Sequence, residues 1–163
     1  MKKLIIFLCF FFSAPIATYS TDQIHDLLII KGDTLRIKTF PLEELSFAIR
    51  PFSYGGYASP DLSCLRGYQA TWQVIDKKLF LVKLSKVDAP NENIDLVKYF
   101  EENNYDPVVI NGMIFADWYS RVLATFPKKY KYWGCEWKPR KAKKLKPAIR
   151  IEHGVVVRNR FKA

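Results

Sequence analysis

Histidine and cysteine are scarce in this 163-residue chain, which has two His and three Cys. Neither an H-E-x-x-H nor a C-x-x-C pair occurs. A zinc site would therefore need three or four ligands converging from distant positions. A G-x-S-x-G nucleophile elbow is also absent, which removes the usual signal for an α/β-hydrolase serine. No internal repeat is present, so the chain does not read as a solenoid or propeller. The longest apolar stretch, Leu4 to Ala17, covers 14 residues and includes Pro15, short of the ~20 apolar residues that a membrane-spanning helix requires. Acidic residues almost vanish near the C-terminus: from Lys128 onward there are only Glu136 and Glu152.

The short apolar stretch has a different meaning at the N-terminus. Lys2 and Lys3 precede it, and Ser13, Ala14, Pro15, Ala17 and Ser20 follow or close it, which is the order of parts in an export signal. Cleavage after Ser20 makes residues 1–20 a signal peptide and 21–163 a single domain. It leaves no membrane span and places the mature protein in the periplasm or outside the cell. Ile6, Phe7 and Leu8 before Cys9 lack the small residue of a lipoprotein cleavage site. Losing Cys9 with the signal leaves Cys64 and Cys135, and an even pair in an oxidising compartment predicts a disulfide. Such a bridge closes a loop of about 70 residues and contributes about 4 kcal/mol in the chain-entropy picture. Two buried free thiols are the alternative.

The mature chain alternates mainly with the period of two that marks strands. Leu27–Ile30, a turn at Lys31, Gly32 and Asp33, and Leu35 with Ile37 predict one hairpin. Tyr68, Ala70, Trp72 and Val74 share a core face and pair, through Asp76 and Lys77, with Leu79–Leu84. Val108–Ile110 and Met113–Trp118 flank Asn111-Gly112, the favoured two-residue hairpin turn. Tyr130–Trp137 alternates aromatic and polar residues, and Ala148–Glu152 and Val155–Arg160 flank His153-Gly154. Pro41–Ile49, with Leu42, Leu45 and Ile49 at helical spacing, predicts a short helix. Ile94–Asn103 predicts a second, with Asn93 as cap and Leu96, Val97, Tyr99 and Phe100 as its apolar stripe. Pro51–Cys64 has a loop composition. The fold class expected is all-β or β-rich α+β, an antiparallel sandwich or partly closed barrel with one or two short helices.

Charge is segregated along the chain. From Lys128 to the end, 13 Lys or Arg face two acids, whereas residues 21–127 carry 11 against 14. Within the basic segment 128–147, Lys138, Arg140, Lys141, Lys143, Lys144 and Lys146 follow Tyr130, Tyr132, Trp133 and Trp137. Cations interleaved with aromatics suit phosphate contacts and stacking. Export separates the chain from cytoplasmic nucleic acid, so the partner expected is an acidic protein or the anionic envelope surface, where each cation contributes about 1 kcal/mol. A solvated loop that blunts an edge strand is the alternative. The expected anion- or partner-binding residues are therefore those six cations with Trp133 and Trp137.

His25, just beyond the cleavage point, and His153, in a tight turn, are expected to be exposed and not catalytic. Asp117 reads as an outward or hydrogen-bonded structural acid. No catalytic residue, metal ligand or cofactor is assigned. The pattern Arg66, Gly67, Tyr68, Ala70, Trp72, then Leu79 and Leu81 in K-L-F-L, then Phe115, Ala116, Asp117, Trp118 and Tyr119 resembles small exported proteins of Gram-negative bacteria with no assigned function. It covers about half of the mature chain, departs from that pattern at Arg121 in place of Gly, and implies no activity. Together these features predict an exported, noncatalytic interaction module, with an inhibitor or immunity-type protein as one version. Two other readings are an envelope enzyme on cell-wall or lipid substrates using Asp117 or His153, and a structural component of an envelope complex.

Overall fold

A computed structural model describes residues 23–52, 64–126 and 148–159. The expected signal peptide, the strand expected at Tyr130–Trp137, and the basic segment with Trp133, Trp137, Cys135 and Lys138–Lys146 lie outside the described residues.

The strands are β1 (Leu27–Ile30), β2 (Asp33–Arg36), β3 (Tyr68–Ile75), β4 (Lys78–Lys86), β5 (Val109–Ile110), β6 (Met113–Phe115), β7 (Val122–Ala124), β8 (Ala148–Glu152) and β9 (Val155–Asn159). One sheet holds them all, in the order β2-β1-β3-β4-β9-β8-β7, with β6 branching from β4 and β5 added to β6. The sheet curls until its two ends touch. Ile37 bridges Thr125, the Lys38 N–H donates to the Ala124 carbonyl at 2.8 Å, and the Phe126 N–H donates to the Arg36 carbonyl at 2.9 Å. The fold is thus β-rich and of the partly closed barrel type.

Four turns of one kind build the hairpins. Lys31-Gly32, Asp76-Lys77, Asn111-Gly112 and His153-Gly154 each place two consecutive residues at positive φ. This is the mirror-image turn whose twist matches that of the strands it joins. Gly154 is required twice over: its φ is +74°, and a Cβ there would meet the Ala116 carbonyl and the Phe115 ring at 2.7 Å. The pairing is not wholly antiparallel, because β1 runs parallel to β3, with Leu28 beside Trp72. A long connection from Ile37 to Gly67 makes that possible. β7 was not anticipated, since three residues carry too little alternation to read.

The interior takes residues from most of the strands, including Leu28, Leu35, Ala70, Trp72, Leu81 and Ile149. Each fully buried large side chain of this kind contributes about 1.5–3 kcal/mol. The single α-helix among the described residues, α1 (Leu96–Glu102), packs into the core with Leu96, Tyr99 and Phe100. Its cap is Asp95, whose carboxylate accepts from the Val97 and Lys98 N–H groups at 3.0 and 3.2 Å. The expected cap, Asn93, is instead committed to a backbone bridge with Ser85 on β4. The helix expected over Pro41–Ile49 is a 3₁₀ turn, Pro41–Leu45, stopped by Ser46 in the left-handed region. Stopping there lets Phe47 reach Tyr99, Phe100 and Tyr105 with ring centroids 5.1–5.9 Å away. Ile49 is 46% exposed as a result.

Candidate functional site

Alternation on β3 puts Tyr68, Ala70 and Trp72 on one side, and the turn before the strand places Arg66 over the Tyr68 ring; all four are buried. A buried arginine requires an acid, because an unpaired guanidinium loses its hydration without compensation. Asp26 supplies it from the residue before β1. The carboxylate has no exposed surface, and its Oδ1 accepts from Arg66 Nη1 at 2.8 Å and from the Ala70 N–H at 3.2 Å. Its Oδ2 accepts from the Trp72 indole N–H at 3.1 Å. Arg66 Nη2 also donates to the Ile24 carbonyl at 2.5 Å, and the guanidinium lies over the Phe40 ring at 3.8 Å and the Tyr68 ring at 5.0 Å.

Burial pushes the Asp26 carboxyl up from its ordinary value, opposed by the Arg66 charge and the hydrogen bonds from Arg66, Trp72 and Ala70. The Arg66 charge and the three donors, none of which can accept, favour the charged carboxylate against the cost of burial. Burial also works against the Arg66 charge, yet the Asp26 charge and hydrogen bond leave it above its ordinary value. Tyr68 extends the network by donating to Glu43 Oε1 at 2.5 Å, and Glu43 in turn pairs with Arg50 at 3.1 Å. Burial, then the Glu43 bond, drives the Tyr68 hydroxyl far above the ordinary tyrosine range.

The same contacts fasten the start of the described chain. Gln23 Oε1 accepts from the Leu65 N–H, the Ile24 carbonyl from Arg66, the His25 carbonyl from Gln69, and Asp26 from Arg66, Ala70 and Trp72. Four successive residues are thereby tied to the approach to β3. His25 is half-buried rather than exposed, its ring 4.4 Å from that of Phe126 and 6.4 Å from that of Phe40. Closure of the barrel at Ile37–Thr125 brings Phe126 there, and local sequence carries no trace of that contact.

The Asp26 centre locks structure rather than offering chemistry, because its oxygens are engaged and aromatic rings cover Arg66. Sequence reasoning overlooked Asp26. Its signal was indirect: an arginine in phase with the core positions Tyr68, Ala70 and Trp72 calls for a buried acid elsewhere.

Asp117 is half-buried in a turn after β6, not in a strand, and accepts from the Tyr105 hydroxyl at 3.1 Å. Burial, then Asp117, pushes Tyr105 up to about 12. At neutral pH that tyrosine is a hydrogen-bond donor, far from the matched value that proton transfer needs. His153 is exposed in its turn, its N–H donating to Ser120 Oγ at 2.9 Å. Trp118 packs edge to face on Trp72 at 6.4 Å and donates its indole N–H to the Pro41 carbonyl at 3.1 Å. Cys64 is buried, and its thiol donates to the Tyr68 carbonyl at 3.3 Å, while its expected partner Cys135 lies outside the described residues. Among the described residues no group of three or more His, Cys, Asp or Glu could hold a metal. No helix among them is long and apolar enough to cross a membrane.

Charge is balanced by count over the described residues, with 13 Lys or Arg against 13 Asp or Glu, and ion pairs join Arg50 to Glu43, Lys86 to Glu92, Lys98 to Glu102, Arg121 to Glu44, and Arg150 to Glu152. The surplus resides in the connection from β7 to β8, where residues 127–147 hold nine Lys or Arg against Glu136 alone. That connection leaves and re-enters the sheet at the paired residues Ala124 and Ala148. No protein-family model, curated protein or solved structure matches the chain.

Proposed function

We propose that the mature protein is an exported, noncatalytic interaction module whose barrel presents the β7–β8 connection to an anionic or acidic partner. Lys138, Arg140, Lys141, Lys143, Lys144 and Lys146, with Trp133 and Trp137, supply the contact. The observation that carries this reading is the segregation of charge: cations and acids equal in number over the described residues, and a concentrated excess of cations in a connection anchored at adjacent strands. Clustered cations raise the local concentration of an oppositely charged partner and speed its encounter, with a strong dependence on ionic strength. An acidic protein is favoured over a featureless anionic surface because Trp133 and Trp137 add apolar area that a protein interface can bury.

Capture of the tagged mature protein from crosslinked native envelopes, eluted at low and then high salt, tests the reading. A single acidic protein released by salt is expected. Replacing the six cations with Gln should weaken its binding by at least about tenfold and flatten the salt dependence. Capture of the same partner with unchanged affinity by that variant would remove the proposal.

A further inference from the structure

β9 is incompletely paired. β8 flanks it on one side, while on the other it meets β4 through Lys78 and Val155 only. Two backbone bonds serve that junction: the Leu79 N–H donates to the Gly154 carbonyl at 2.8 Å, and the Val156 N–H to the Lys77 carbonyl at 2.7 Å. The β3–β4 turn at Asp76-Lys77 then carries the chain away. Along Val157–Asn159, therefore, β9 has no strand on its outer side among the described residues. An open strand edge is a template for another strand.

The surroundings select the occupant. Val155 and Val157 are 37% and 51% exposed, and Val122 on β7 is 50% exposed. Lys77, Lys78, Arg150 and Arg158 are exposed around them, against Asp76 and the Glu152 that Arg150 already holds at 3.0 Å. β9 also reaches its open end beside the start of β8, since Asn159 pairs with Ile149, and the basic connection enters the sheet there. A second copy would bring like charge to this edge and be repelled. An acidic strand would be attracted.

We infer that the edge of β9 at Val157–Asn159 receives an extended acidic segment of a partner protein as an added strand. This rests on the role proposed for the basic connection and specifies the form in which the partner is bound. Main-chain hydrogen bonds to the edge supply affinity, the exposed valines take alternate apolar side chains, and the surrounding cations select for acids at the others.

The test uses the full mature chain and two synthetic peptides of equal charge, one alternating Glu and Val, the other Glu and Pro. Vesicles of anionic phospholipid are the third probe. The Glu-Val peptide is expected to slow amide hydrogen exchange within Val157–Asn159 by about tenfold at saturation, and the Glu-Pro peptide to leave it unchanged. Val157→Pro should abolish Glu-Val binding, and the exchange data on the unaltered chain decide the matter if that variant does not fold. Equal binding of the two peptides, or binding of vesicles with no protection of β9, would overturn the inference. The six-Gln variant separates the two readings. Loss of acidic-peptide binding in that variant without edge protection in the unaltered chain removes the added strand alone. Edge protection with affinity and salt dependence unchanged in that variant removes the role of the basic connection alone.

Discussion

At the entry to β3, Asp26 and Arg66 meet at 2.8 Å, both buried and both bonded to further partners. On β8 and β9, Arg150 and Arg158 stand exposed beside the entry of a segment with nine cations and one acid. The first region spends charge on geometry: a carboxylate removed from water is tolerable only where a counter-charge and hydrogen-bond donors replace the water, so each bond fixes a piece of structure. In the second, Arg150 and Arg158 stay at the surface, where water hydrates them. The difference teaches that burial, rather than residue type, separates the charges that hold this molecule together from those free to bind.

Breaking the buried pair should have the largest effect. Asp26→Ala leaves Arg66 without its counter-charge and should cost about 3–5 kcal/mol in denaturant unfolding. Asp26→Leu combined with Arg66→Met should recover most of that loss, since an apolar pair of similar volume needs no hydration. A cost below about 1 kcal/mol for Asp26→Ala would show that the network is not what secures the N-terminal residues to β3.

Tyr105 and Asp117 lie between the two extremes, half-buried and joined by one hydrogen bond. Burial first, then Asp117, raises the Tyr105 hydroxyl from the ordinary 10.0 to about 12. A raised value means that the neutral hydroxyl is favoured in the folded state. Its contribution is complete below about pH 10 and is lost as pH rises through about 12. Tyr105→Phe should therefore make the alkaline fall in stability shallower across that window and leave the slope at neutral pH unchanged. Tyr68, Tyr99 and Tyr119, whose hydroxyls are also raised chiefly by burial, keep the rest of the slope.

The cations of the β7–β8 connection should matter least to folding. Changing all six residues between Lys138 and Lys146 to Gln should move the unfolding free energy by no more than about 0.5 kcal/mol. A loss comparable to that of Asp26→Ala would erase the contrast and make the basic connection part of the framework.

Legibility followed the range of the interactions. The hairpins at Lys31-Gly32, Asn111-Gly112 and His153-Gly154 were readable because the turn chemistry and both flanking alternations lie within a few residues. The apolar stripe of α1 was readable for the same reason. Its cap was misplaced by two residues, since Asn93 and Asp95 are equally good acceptors and only the bridge to Ser85 removes Asn93 from the choice. The helix expected to reach Ile49 stops at Leu45 because Phe47 finds three aromatic rings that are distant in sequence. The partner-binding residues expected from the sequence lie outside the described residues, and the β9 edge beside them could not be read from the chain, because an edge is defined by the strand that fails to arrive.

The sequence by itself determined the β-rich class, the core face of β3, the mirror-image turns and the segregation of charge. All of these are set by periodicity, local backbone preference and composition. Only the tertiary structure decided that Asp26 answers Arg66 across 40 residues, that β1 lies parallel to β3, that the sheet curls until Ile37 meets Thr125, and that β9 outruns β4. The physical reason is shared: each depends on which distant groups find one another after the loops between them have closed. No local propensity encodes that choice, which is made by the joint requirement that buried apolar faces be covered and buried charges be paired.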